Sequence, residues 1–174
     1  MTFCLQDAII CYIPLLLFQR KDDPLTGKHM TEPTLPELLA PAGSLQALYA
    51  AVAGGADAVY LGGKSFSARA NAKNFDGQEL SRAVRYCHLH GVRVYVTVNI
   101  LLTDRELPEA VAFCRTLHRL GVDAVIAADV GLLALLRREV PGLAVHASTQ
   151  LSVHSTDGVR CAGRMGVLRV VPAR

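Results

Sequence analysis

Tryptophan is absent from the 174 residues, and aromatic side chains of any kind make up only 6%. Basic and aromatic residues are not interleaved and no run of five like charges occurs, so the net charge of +3 does not by itself mark a nucleic-acid binder. Cysteine is scarce as well: there are five, an odd number, with no Cys-x-x-Cys pair. A reducing, cytoplasmic setting therefore suits them better than a disulfide framework. No pair of His, Cys, Asp or Glu has zinc-ligand spacing, so no metal site is expected. A Gly-x-Ser-x-Gly elbow is missing, which removes the simplest serine-hydrolase reading.

Long hydrophobic runs are missing too. The longest, Ala8 to Phe18, is shorter than the roughly 20 residues that cross a bilayer, so no membrane partner is expected. Asp7 stands where a secretory signal would carry a basic residue, and Gln19-Arg20-Lys21-Asp22-Asp23 stands where it would be cleaved. Residues 1–30 read as an N-terminal extension, either disordered or an over-extended start whose true first residue is Met30. Residues 31–174 read as the folded domain. With 51% hydrophobic residues, a chain of this size buries about two thirds of its unfolded surface, which suits one domain.

What the domain does contain is a repeat. Gly55-Ala56-Asp57-Ala58-Val59-Tyr60-Leu61-Gly62-Gly63 is a glycine, a short apolar run and a polar or glycine tip. The order returns at Gly91 to Asn99, at Gly121 to Asp129 and, more weakly, at Gly142 to Ser148. Glycine suits the C′ position of a helix, so each unit reads as helix end, tight turn, buried strand and polar tip. Between the strands, Ala47, Leu48, Ala51 and Val52, then Leu80, Ala83, Val84 and Cys87, then Leu107, Ala110, Val111, Cys114 and Leu117 recur at helical spacing. Ser44, Asp129 and the spacing Thr103 to Glu106 are expected helix caps.

Strands are expected to start near 35, 57, 93, 124, 143 and 168, with a helix on every crossing. Right-handed crossovers then require a parallel sheet. Ala40-Pro41-Ala42-Gly43 lacks the glycine fingerprint of a doubly wound dinucleotide fold. A complete (β/α)₈ barrel needs about 250 residues. The fold class is therefore α/β: an incomplete TIM-barrel-like domain of about six parallel strands and five intervening helices.

Five segments carry a resemblance that extends this reading: Pro36 to Gly43, Gly55 to Gly63, Phe66-Ser67-Ala68-Arg69-Ala70, Tyr95 to Asn99 and His146-Ala147-Ser148-Thr149-Gln150. In this order they closely resemble the N-terminal half of the collagenase-like peptidase family, U-32. The resemblance runs from Leu35 to Arg174. It implies a TIM-barrel-like catalytic domain acting on a peptide or on RNA, as a collagenase-like peptidase or as a factor in pyrimidine hydroxylation of transfer or ribosomal RNA. A non-functional gene fragment is the third class. The resemblance also implies that a 4Fe-4S cluster, where relatives carry one, uses cysteines beyond Arg174, so no cofactor is expected on this chain.

Barrel enzymes work at the C-terminal strand ends. There the chain offers the Lys64 to Asn74 loop, in which Lys64, Arg69 and Asn71 could hold an anionic substrate, together with Arg174. Asn99, His146, Ser148 and Gln150 are the catalytic candidates. His146 and Ser148 are two apart on one strand, a spacing that rarely makes a nucleophile–base hydrogen bond, so a satisfied interior histidine is the favoured reading. Asn99 follows an apolar strand with no helix to cap, which suits holding a substrate or a neighbouring loop. Open edges on the first and last strands would invite a complementing C-terminal segment or self-association. The isolated chain is expected to be inactive as a peptidase.

Overall fold

The computed structural model describes residues 13–14, 36–68 and 74–173. Arg69, Asn71 and Arg174 lie outside these residues, as does the N-terminal extension apart from a strand, β1, at Ile13–Pro14. The domain proper alternates β2 (Leu39–Pro41), α1 (Leu45–Ala53), β3 (Ala58–Gly62), α2 (Gly77–Leu89), β4 (Arg93–Val98) and α3 (Leu107–Arg119). It continues with β5 (Ala124–Ala127), α4 (Val130–Glu139), β6 (Ala144–Ala147), α5 (Thr156–Arg164) and β7 (Arg169–Val170). Strands β2 to β7 are parallel neighbours in chain order and, with the five helices, form half of a barrel.

The repeat explains the geometry. Gly55, Gly91 and Gly121 have φ of 83°, 71° and 83°, the left-handed turn that ends each helix and starts the next strand. The fourth copy departs from expectation: Gly142 is not in that region, and Gly166, with φ of 92°, supplies the turn before β7 instead. Helix α4 ends at Glu139 with Val140 as its C-cap, and Pro141-Gly142 makes an ordinary turn in which a Cβ on Gly142 would stand 3.0 Å from His118.

Local caps set the helix starts. Asp76 and Glu79 form a reciprocal capping box on α2, and Ser44 and Asp129 cap α1 and α4 as expected. At Thr103 the outcome differs. The Glu106 carboxylate takes both the Thr103 N–H, at 2.8 Å, and its hydroxyl, at 2.7 Å. No side chain caps the first turn, and α3 begins only at Leu107, beyond both residues.

The helix-facing side of the sheet is aliphatic: Val59, Leu61, Val94, Val96, Val98, Val125, Val145 and Val170 join the stripes Leu80-Ala83-Val84-Cys87 and Ala110-Val111-Cys114-Leu117 in one core. Cys87 and Cys114 are core residues, as their spacing predicts. The concave side holds a smaller cluster, Leu39, Ala58, Tyr95, Ala124 and Ile126, flanked by Tyr60 and Ala144. β2 is the terminal strand at one edge of the sheet. The other edge, expected to be open, is not: β7 pairs antiparallel with β1, Ile13 opposite Val170 and Pro14 opposite Arg169.

Candidate functional site

The repeat's period of two places Tyr60 and Gly62 of β3, Tyr95, Thr97 and Asn99 of β4 and its end, Ile126 of β5, and His146 and Ser148 of β6 and its end on the concave side. At the C-terminal ends of these strands the wall opens into a pocket of about 380 Å³. Its polar lining is Ser67, Asn74, Thr97, Asn99, Ser148, Thr149 and Gln150, and Tyr60, Ile126 and Phe75 supply apolar surface. None of the described lining residues is charged.

The segment after β3 is tied down at several points. Gly63 and Phe75 make a parallel bridge, and the Phe75 N–H donates to Gly62 O at 2.9 Å, so the loop between them leaves and returns at the same place. The Thr97 hydroxyl donates to Leu61 O at 3.3 Å and stands 3.0 Å from the Ser67 hydroxyl. With the Thr97 proton engaged, Ser67 is the donor in that pair. The Ala68 N–H donates to Asn99 Oδ1 at 3.1 Å. This closeness requires glycine: a Cβ on Gly62 would lie 2.7 Å from Ser67 Oγ, and one on Gly63 would lie 2.7 Å from Phe113 Cζ.

Three of the four catalytic candidates reach the pocket. Asn99, Ser148 and Gln150 line it, whereas His146 does not. Ser148 is buried and caps a 3-10 turn, Thr149–Leu151, by accepting the Gln150 N–H at 3.3 Å. That short turn directs Thr149 and Gln150 into the rim. Lys64 pairs with Asp76 at 3.6 Å and sits on a neighbouring depression, beside the first turns of α1 and α2, that shares Asn74 and Phe75 with the pocket.

His146 corrects the expectation of a satisfied interior histidine. It is buried at 6% exposure, yet its Nδ1 has no partner among the described residues, and no hydrogen bond joins it to Ser148. Its ring meets the Tyr95 ring edge-on at 4.7 Å. Burial, reinforced by the guanidiniums of Arg169 and Arg93, pushes the imidazole down to about 3, so it is neutral at physiological pH.

Beneath it lies a group that strand-end reasoning did not find. Glu37, just before β2, accepts the Tyr95 hydroxyl at 2.6 Å, pairs with Arg93 at 2.9 Å, and binds Arg169 from the far strand β7. Arg169 also stands over the Tyr95 ring, 5.4 Å from its centre. Burial, and then Glu37, hold the Tyr95 hydroxyl well above its ordinary pKa. The available signal was Arg93 and Arg169 each opening a strand in a chain whose other strands open on apolar residues.

The described cysteines offer no shared site. Burial pushes the Cys87 thiol up to about 11 and the Cys114 thiol up to about 12, and Cys161 is exposed on α5. Among the described residues no cluster of three His, Cys, Asp or Glu is placed to hold a metal ion, and no helix is long and apolar enough to cross a membrane.

The sequence profile of peptidase family U32 matches residues 43–174. The chain belongs to peptidase family U32. Among its U32 relatives, the "tRNA hydroxylation protein P1" of Bacillus subtilis is 38% identical over 139 residues, covering 80% of this chain and 33% of that protein. The "Collagenase" of Porphyromonas gingivalis is 33% identical over 129 residues, covering 74% of this chain and 31% of that protein. This U32 chain therefore spans about a third of the length of these curated relatives. A solved structure, that of the U32 peptidase Mk0906, superposes with a TM-score of 0.58 at 18% identity, covering 82% of this chain and 61% of that one. At that identity the likeness concerns the fold.

Proposed function

We propose that this chain forms the base-binding part of a U32 protein that supports pyrimidine hydroxylation in RNA, rather than the working site of a collagenase-like peptidase. The observation that carries this reading is the pocket at the strand ends, with its uncharged amides and hydroxyls set beside Tyr60 and Phe75. A pyrimidine needs hydrogen-bonding groups at its edge and apolar or aromatic contact on its face, and enzymes that modify a base take it out of its stack into such a pocket. The name of the Bacillus subtilis relative supports the same direction. A serine peptidase would need a base bonded to its nucleophile, and here His146 lies outside the pocket and makes no bond to Ser148.

Two assays decide between the readings. In the first, residues 36–173 replace the homologous third of the Bacillus subtilis relative in a strain lacking it, and hydroxylated pyrimidine nucleosides from digested transfer RNA are measured by mass spectrometry. Restored hydroxylation is expected. In the second, the purified chain is incubated with gelatin. Turnover that vanishes on Ser148→Ala would overturn the proposal in favour of the peptidase.

A further inference from the structure

Two described residues other than glycine have a positive φ: Ser152, which ends the short turn after β6, and Phe66, at 63°. A left-handed backbone is costly for a bulky side chain and persists only where the surroundings over-determine it. Phe66 has no short polar group to bond its own backbone there, as Asn or Asp would. What holds it is helix α3. The Phe66 ring packs against the ring of Phe113, with centres 6.0 Å apart, and Phe113 lies so close over Gly63 that a Cβ there would stand 2.7 Å from its Cζ. Gly63 and Phe66 are thus both seated on one side chain of α3.

The consequence falls on the next two residues. Directly after the left-handed turn, the Ser67 hydroxyl stands 3.0 Å from that of Thr97, and the Ala68 N–H donates to Asn99 Oδ1 at 3.1 Å. An N–H only donates, so this bond fixes which end of the Asn99 amide is the oxygen and leaves the NH₂ end for the pocket that Asn99 lines. An extended backbone at Phe66 would turn the chain away from β4 before Ser67.

We propose that Phe66 is a positioning residue: its left-handed backbone, clamped by Phe113, sets Ser67 and Ala68 on the end of β4 and so aims the Asn99 amide into the pocket. The clamp stands on the geometry alone; its effect on catalysis rests on the RNA-hydroxylation reading given above.

Urea unfolding and amide hydrogen exchange of the full chain test the clamp. Phe66→Ala keeps the strained backbone without the ring, whereas Phe66→Gly loses both ring and strain. Phe66→Gly is therefore expected to unfold at a higher urea concentration than Phe66→Ala, the reverse of the usual order, and the usual order would overturn the proposal. In Phe113→Ala the Ala68 amide should exchange about tenfold faster relative to the core amides of β5, and in Phe113→Leu, which keeps an apolar group over Gly63, by much less. No rise at Ala68 in a folded Phe113→Ala chain overturns the clamp; should that variant fail to fold, the order of the two Phe66 variants decides. The same substitutions are then placed in the Bacillus subtilis chimera. A loss of hydroxylated nucleoside in Phe66→Ala and Phe113→Ala, with recovery in Phe113→Leu, is expected, and unchanged hydroxylation despite faster Ala68 exchange reduces Phe66 to a structural residue. Failure of the unsubstituted chimera overturns the RNA reading and leaves the clamp to the urea and exchange results.

Discussion

The two faces of the sheet are made by alternate residues of the same strands, yet they follow opposite rules. The outer face is valine, leucine and alanine packed against helices, with no polar group to satisfy. The inner face carries Tyr95, Thr97, His146, Ser148 and Arg169, with Glu37 reaching in from before β2. Burying apolar atoms needs only fit, whereas burying polar atoms needs a partner for each one. The inner face meets that demand at Glu37 and Thr97 and leaves it unmet at His146 Nδ1. Stability is therefore concentrated on one face, and chemistry with its cost on the other.

The sharpest break in this comparison is a cavity on the outer side. Leu132→Ala, at a residue with 0% exposure, should cost about 3 kcal/mol in urea unfolding, with little change in the arrangement of the pocket. On the inner side, Glu37→Gln should cost about 2 kcal/mol, because two guanidiniums and the Tyr95 hydroxyl lose the carboxylate that draws the first and last parallel strands together. Restoring that stability with a second change, Arg169→Met, would show that stranded charge, not lost packing, carries the penalty.

A pH series separates the faces in another way. The folded-state pKa of His146, at about 3, lies below its unfolded value near 6.5, so the unfolded chain binds the extra proton. The His146 contribution to stability is intact above about pH 6.5. It falls by up to about 1.4 kcal/mol per pH unit as the pH drops toward 3. His146→Phe should flatten that slope in denaturation curves at pH 7, 6, 5 and 4, whereas an unchanged slope would show that other groups carry it. The smallest expected effect is at the rim. Asn99→Ala should cost no more than about 1 kcal/mol while raising hydrogen exchange at the Ala68 amide, since it removes one half-exposed hydrogen bond.

Much of the fold was legible because its signals are local. The glycines at 55, 91 and 121 announce helix ends through a conformation that a side chain would strain, and the apolar stripes of α2 and α3 follow from helical period alone. Gly142 misleads because its small size matters for His118 and not for its φ. Thr103 misleads because its hydroxyl bonds the Glu106 side chain and α3 starts beyond both residues. The site was legible in part: Asn99, Ser148 and Gln150 were foreseen as strand-end residues, but Thr97 and Ser67 were not, since a threonine inside a valine strand looks like β-propensity.

Order, period and turn chemistry are properties of neighbouring residues, and they were enough to determine six parallel strands, five helices and which residues stand at the strand ends. The tertiary structure alone decided that Glu37 would meet Arg169, 132 residues away, and that His146 would be buried without a partner for Nδ1. It also decided that the Ala68 N–H would turn the amide of Asn99 toward the pocket. The physical reason is the curvature of the sheet. Rolling β2 toward β7 brings side chains together across the concave face, and no separation along the chain encodes which of them will touch.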